Sequence, residues 1–166
     1  ATGRGEAAER LLEAQVPPAA ARMEKAVVQH VLHREFLICS EATLAIALAA
    51  MLSELGGDVR LLAAAGESAG KIPSGIAHRI LAAADMEELR LAISKEAADC
   101  NPAPILLGNQ RAIVAAGEQR VVPVPFGFQA GGIHCLTGTP YLGMTGAVSL
   151  VERIANASAL EKMRRA

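Results

Sequence analysis

The chain of 166 residues has no tryptophan, one tyrosine and three phenylalanines. So few rings exclude a base-stacking platform for single-stranded nucleic acid and leave the core to be built from Ala, Leu, Ile and Val. Charge of either sign is not in excess: 16 Lys and Arg stand against 17 Asp and Glu, a net −1. A polyanion partner needs a basic field or patch, so neither nucleic acid nor an anionic membrane surface is expected. The three cysteines, Cys39, Cys100 and Cys135, are odd in number and far apart, which supports neither a disulfide framework nor a Cys-x-x-Cys site. The longest apolar run, residues 42–52, is far short of the roughly 20 residues that span a bilayer. No basic, apolar and small-residue leader opens the chain, so a cytoplasmic location is expected.

Several chemical signatures are missing as well. No Gly-x-Gly-x-x-Gly follows the first apolar run, where the residues are Cys39-Ser40-Glu41-Ala42, and this argues against an ordinary dinucleotide dehydrogenase. The stretch 66–72 resembles a phosphate loop, but Ala65 stands where the Walker pattern begins with glycine and Ile72 where it needs a hydroxyl for magnesium. A flexible loop is the better reading. Ser40, Ser68 and Ser74 lack a nucleophile-elbow context, so a hydrolase triad has no support.

The pattern that is present alternates strands with helices. Residues 6–14 and 18–33 read as two leading helices, the second with Pro18 in its first turn, where a missing amide is harmless. Residues 34–40 read as a strand covered on both faces, and Ser40 is placed to cap an alanine-rich helix that Gly56 and Gly57 end. Residues 58–65, 104–108 and 120–126 are further strands, and 86–99 and 109–117 further helices. This order predicts an α/β, Rossmann-like open parallel sheet of about four strands with helices on both faces, over residues 34–166. The leading helices occupy 1–33. Ligands of such sheets sit outside the carboxyl ends of the strands, here near residues 39–40, 66–71, 108–109 and 126–134.

Histidines and glycines supply the remaining candidates. His30 and His33, with Cys39 nearby, form a loose metal-like set, although a charge at a helix C-terminus gives them a structural reason. His134-Cys135 lies in the loop ahead of a glycine turn, where it can face a ligand or pack. In residues 140–156, Gly143 and Gly146 read as a turn that leads into a helix with Val148, Leu150, Val151, Ile154 and Ala155 on one face. Amides at that helix start can hold an anion or a carbonyl. The first residue is alanine and the helical pattern continues to Arg164 and Arg165, so the chain is expected to be part of a longer protein.

Three segments in one order carry a resemblance. Leu106-Leu107-Gly108-Asn109 resembles a strand end of the nitrogenase component 1 superfamily. Val122-Pro123-Val124-Pro125-Phe126-Gly127-Phe128 resembles its "P-x-x-x-x-G-F" strand, and residues 140–156 resemble its "P-x-x-G-x-x-G-A-x-x-L-x-E-x-I-x-N" turn and helix. The form with Ala147, Leu150, Glu152, Ile154 and Asn156 is more similar to the beta-type subunits.

The resemblance implies the last of three Rossmann-like domains in a nitrogenase-like reductase or cofactor-scaffold subunit. It implies electron transfer from an iron–sulfur ATPase reductase and a homologous partner subunit. It also implies an iron–sulfur cluster held elsewhere in the complex, with none bound by this segment. The alpha-type subunit's cofactor histidine has no counterpart, since Leu142 occupies its place and His134 is eight residues upstream. The domain alone is expected to be inactive and to help wall a cavity, for which Gly108, Asn109, Gln129, His134, Gly143, Thr145 and Gly146 are the candidate lining or backbone-donating residues. No catalytic residue and no metal ligand is assigned. The alternative is a stand-alone Rossmann-like binding or interaction module without catalysis, dimerising through the alanine-rich helix.

Overall fold

The computed structural model describes residues 3–66, 72–82, 84–127 and 142–165. Five parallel strands form one sheet in the order β3-β2-β1-β4-β5. They are β1 (Glu35–Glu41), β2 (Asp58–Ala65), β3 (Arg79–Ala82), β4 (Ile105–Gly108) and β5 (Val122–Pro125). The helices are α1 (Gly3–His30), α2 (Ala42–Glu54), α3 (Met86–Ala98), α4 (Gln110–Ala116) and α5 (Gly143–Arg165).

β1 is the middle strand and buries both faces. Phe36 and Ile38 point into one core with residues of α2 and α5, among them Ala45, Leu52, Leu150 and Ile154. Leu37 and Cys39 point into the other with Leu89 and Ile93 of α3 and Ala112 of α4. Because side chains alternate along a strand, a run that is apolar at every position belongs between two helical layers. The parallel sheet expected from the sequence is therefore present.

The sheet has one strand beyond the four read from the sequence, within the expectation of about four. β3 lies at the edge beside β2, and its side chains alternate between half-buried and exposed. With Arg79 in it and Ile80 exposed, it lacks the continuous apolar run that marks the inner strands. At the other edge, Val122 and Phe126 donate their amides to the carbonyls of Pro104 and Gly108, both at 2.8 Å. The alternating residues Pro123 and Pro125 face away from the ladder, so the amides they lack are ones the sheet does not use. That edge offers few donors to an added strand.

The helices differ from expectation at two ends. Residues 3–30 form one helix with Pro17 and Pro18 inside it, where two helices were expected. The prolines leave the carbonyls of Glu13 and Ala14 without helical donors, and both residues are exposed, so water can serve them. The cap of α2 is Glu41 instead of Ser40: its carboxylate accepts from the amides of Thr43 (2.9 Å) and Leu44 (3.2 Å). The β1–β2 ladder continues to Glu41 opposite Ala65, which keeps Ser40 in the strand. The other end of α2 is as expected. Gly56 takes φ +81°, its amide donates to Ser53 and that of Gly57 to Leu52, the paired bonds of a Schellman ending.

α3 begins with a capping box between Asp85 and Glu88. On its outer side, Glu96 receives Arg60 at 3.7 Å and Arg79 at 3.6 Å, tying α3 to β2 and β3. Arg153 of α5 donates to the Pro125 carbonyl and lies over the Phe126 ring at 5.5 Å, which fixes α5 to the end of β5. No described helix is long and apolar enough to cross a membrane.

Leu107 is fully buried in the first core and Leu91 is 54% exposed. Replacing Leu107 with alanine is expected to cost about 2–5 kcal/mol, and Leu91→Ala within about 0.5 kcal/mol. Urea unfolding of the two variants measures the contrast.

Candidate functional site

The strand order reverses between β1 and β4, since the chain leaves β1 toward β2 and returns on its other side to form β4. At such a switch point the connections diverge and leave a crevice at the carboxyl ends. A crevice of about 50 Å³ lies there. Its walls include Cys39 and Ser40 of β1, Ala63 to Ala65 of β2, Ala84 and Leu89, and Asn109, Arg111 and Ala112 at the start of α4. Small side chains on β2 leave the space, and polar ones from β1 and α4 border it.

Gly108 and Asn109 sit where the sequence places them, at the end of β4. A Cβ on Gly108 would approach the Ala112 Cβ at 2.6 Å and the Cys39 carbonyl at 3.0 Å. Glycine is thus needed for β1, β4 and α4 to meet this closely. Asn109 caps α4, its side-chain oxygen accepting from the Ala112 amide at 3.2 Å. Gly127, which ends the β5 segment, takes φ +95°, and a Cβ there would lie 3.2 Å from Ser40 Oγ. Its bare backbone closes over the end of β1.

The remaining candidates divide. Gly143 makes the turn with φ +65° and, with Thr145, is exposed in the first turn of α5, outside the walls of the crevice. Gly146 is buried inside the helix, and its amide donates to the Leu142 carbonyl at 3.1 Å, so it is not available to a ligand. The expected two-glycine turn is a one-glycine turn followed by helix. Gln129, His134 and Cys135 lie outside the described residues, as do residues 67–71 of the loop that resembles a phosphate loop. Arg111 was not read from the sequence, yet it borders the crevice, with Nε donating to Met86 Sδ at 3.0 Å and Nη2 to the Ala84 carbonyl at 3.3 Å. A cation in the first turn of a helix that follows a strand end was the available signal.

Electrostatics limit what the crevice accepts. The amino terminus of α2, where a Rossmann-like sheet ordinarily receives a phosphate, is occupied by the Glu41 carboxylate. The amides of Thr43 and Leu44 hold that carboxyl below its usual pKa. α4 is closed in the same way by Asn109. A phosphate at α2 would meet a negative charge in place of open amides.

The cysteine thiols are equally restricted. Burial pushes the Cys39 thiol up to about 12. Cys100 is also pushed up to about 12, first by burial and then by the nearby Glu35 carboxylate, and its Sγ donates to the Glu96 carbonyl at 2.9 Å. Neither supplies a free thiolate at neutral pH. Among the described residues no group of three His, Cys, Asp or Glu is placed to hold a metal ion. His30 stands in the last turn of α1, but burial, Lys162 and Arg34 lower its pKa, so a charge–dipole role for it is not supported.

A larger depression, about 430 Å³, lies among His33, Arg34, Glu35, Asp58, Asp99, Asn101 and Pro102 at the amino ends of β1 and β2. Several of these groups already have partners: Arg34 donates to the Ala103 carbonyl, Asp58 meets His78 at 2.6 Å and Glu35 meets Arg60. It faces away from the end of the sheet where ligands bind, and the smaller crevice is the better candidate site.

A parallel sheet with its ligand crevice at the β1–β4 switch point and no dinucleotide loop defines a Rossmann-like domain of another kind. The nitrogenase component 1 type oxidoreductase family matches residues 1–159, and the chain belongs to that family. A solved structure titled "Nitrogenase Cp1 at pH 6.5" superimposes with a TM-score of 0.73 at 19% identity, covering 99% of this chain and 39% of that one. At that identity the likeness establishes the fold, and the chain spans less than half the length of the matched protein. No curated protein sequence matches.

Two outcomes follow from the site. Gly108→Ala is expected to destabilise the domain by about 1–3 kcal/mol, read by chemical denaturation, because its neighbours on both sides include backbone or strand-borne atoms. In a Cys135→Ala background, a disulfide reagent at pH 8 should titrate no thiol in the native chain and both Cys39 and Cys100 after denaturation.

Proposed function

We propose that this chain is the C-terminal domain of a nitrogenase-like reductase or cofactor-scaffold subunit. In this reading the carboxyl ends of β1, β2 and β4 form one wall of a substrate or cofactor cavity. The observation that carries it is the closed state of the switch point. Glu41 and Asn109 occupy the helix starts that a nucleotide phosphate would need, whereas Ser40 and Arg111 still border the crevice. A dinucleotide enzyme leaves that helix start open.

The residues have separate tasks in this reading. Gly108 and Gly127 allow the backbones to approach, and Ala63 to Ala65 keep the wall low. Arg111, held by Met86 and the Ala84 carbonyl, presents a fixed positive charge to an anionic group of substrate or cofactor. Gly143 and Thr145 offer backbone amides at the start of α5, and Gln129 and His134 are retained as cavity candidates from their place in the sequence. The family implies an iron–sulfur cluster that supplies electrons one at a time, and in this reading its ligands belong to another part of the complex. An iron–sulfur ATPase reductase and a homologous subunit are the implied partners, and a cytoplasmic location is the implied compartment.

Anaerobic purification of the tagged protein from its native source tests this. A homologous subunit and an iron–sulfur absorption band should accompany it, and the chain expressed alone should be colourless. Recovery of a lone, colourless chain from the native source would favour the stand-alone module, and a chromophore on the isolated chain would contradict the ligand argument.

A further inference from the structure

The crevice at the switch point has an apolar floor and a charged rim. Cys39, Ala63, Leu89 and Ala112 form the floor, all four nearly fully buried in the core between the sheet and helices α3 and α4. The Ser40 side chain alternates with that of Cys39 and turns to the other face of the sheet, toward Gly127. Burial pushes the Cys39 thiol up to about 12, so the thiol is neutral and the floor carries no charge. Asn109 and Ala84 are half-buried and Arg111 is exposed, which places these three at the mouth.

Arg111 is pinned there. Its Nε and Nη2 donate to Met86 Sδ and the Ala84 carbonyl, across the connection between β3 and α3. A guanidinium has five N–H groups, so three remain, both on Nη1 and one on Nη2. This is the paired edge that a carboxylate takes with two parallel hydrogen bonds. Among the described residues no carboxylate of the chain itself meets it.

Size and charge narrow the ligand. One water needs about 10–15 Å³ of such space, so roughly four non-hydrogen atoms fit in a crevice of about 50 Å³. A pocket that encloses a whole cofactor needs about 300 Å³ or more. The neutral floor offers nothing to a cation. A phosphate dianion would bring a second negative charge that Arg111 does not match, at the end of the sheet where the Glu41 carboxylate caps α2. A short alkyl chain suits the floor, and a carboxylate suits the rim.

We propose that the crevice binds a short aliphatic monocarboxylate, of about two to four carbons, with its alkyl end on the floor and its carboxylate paired with Arg111. This assignment rests on the crevice being a ligand wall, as proposed above, and is separate from the partners named there.

Titration of the isotope-labelled chain with sodium propionate, against sodium chloride at equal ionic strength, tests it by amide NMR. The amides of Cys39, Ala64 and Ala112 should shift and saturate, with a Kd on the order of 1 mM. Arg111→Ala, at an exposed position, and Ala84→Leu, which narrows the mouth, should each weaken binding at least about tenfold, with far-UV circular dichroism unchanged. Propylamine and inorganic phosphate should give no saturable shift. Propionate shifts that never saturate, undiminished binding by Arg111→Ala, or phosphate binding as tightly as propionate would overturn the proposal. A lone chain from the native source that binds propionate would uphold this site while the subunit reading falls; a complex whose chain ignores propionate would do the reverse.

Discussion

Everything in this domain depends on β1 being buried on both faces. Phe36, Leu37 and Ile38 are fully buried, and Cys39 is nearly so. At about 25 cal/mol per Å² of apolar surface, a strand covered on both sides contributes more per residue than one facing water. The two neighbours of β1, β2 and β4, start the two halves of the sheet, so the switch point lies at its carboxyl end. The close approach at Gly108 transmits that position to α4. The location of Asn109 and Arg111 is thus a consequence of packing several residues away.

A second constraint acts at the two helix starts beside the crevice. Helix starts next to strand ends tend to attract anions, and here the two around the switch point are satisfied by the chain's own side chains. Glu41 carries a full negative charge whose pKa is depressed by the amides it caps. Its contribution to α2 is therefore present above the ordinary carboxylate range and is lost as pH falls through the lowered value. The same arrangement that steadies α2 places a carboxylate where a phosphate would meet that helix start, and Arg111 is a described cation at the crevice.

The parts of the fold that were legible in the sequence are those governed by strong, local rules. The unbroken apolar runs gave β1 and β4, residues 58–65 read directly as β2, and Gly56 ends α2 as expected. β3 was not legible because an edge strand half-covered by its neighbours needs no apolar run. The division of α1 followed the usual effect of proline, which an exposed helix can tolerate when water serves the freed carbonyls. The cap of α2 shifted by one residue because strand pairing persisted through Ser40, a tertiary effect invisible to a local rule. At the site, Gly108 and Asn109 were legible as motif residues, whereas Gly146 was misread as turn because two glycines three apart look alike whether or not the helix has already begun. Arg111 was missed since its role depends on Met86 and Ala84, which are distant in sequence.

If β1 organises the domain, its amides must be the last to open. Native-state hydrogen exchange of Leu37, Ile38 and Cys39, with Leu106 and Leu107 of β4, is the direct measurement. The account predicts that these amides exchange only through global unfolding, with free energies equal to that of the whole domain. Exchange of β1 through a local opening at markedly lower free energy, while outer elements remain closed, would contradict it.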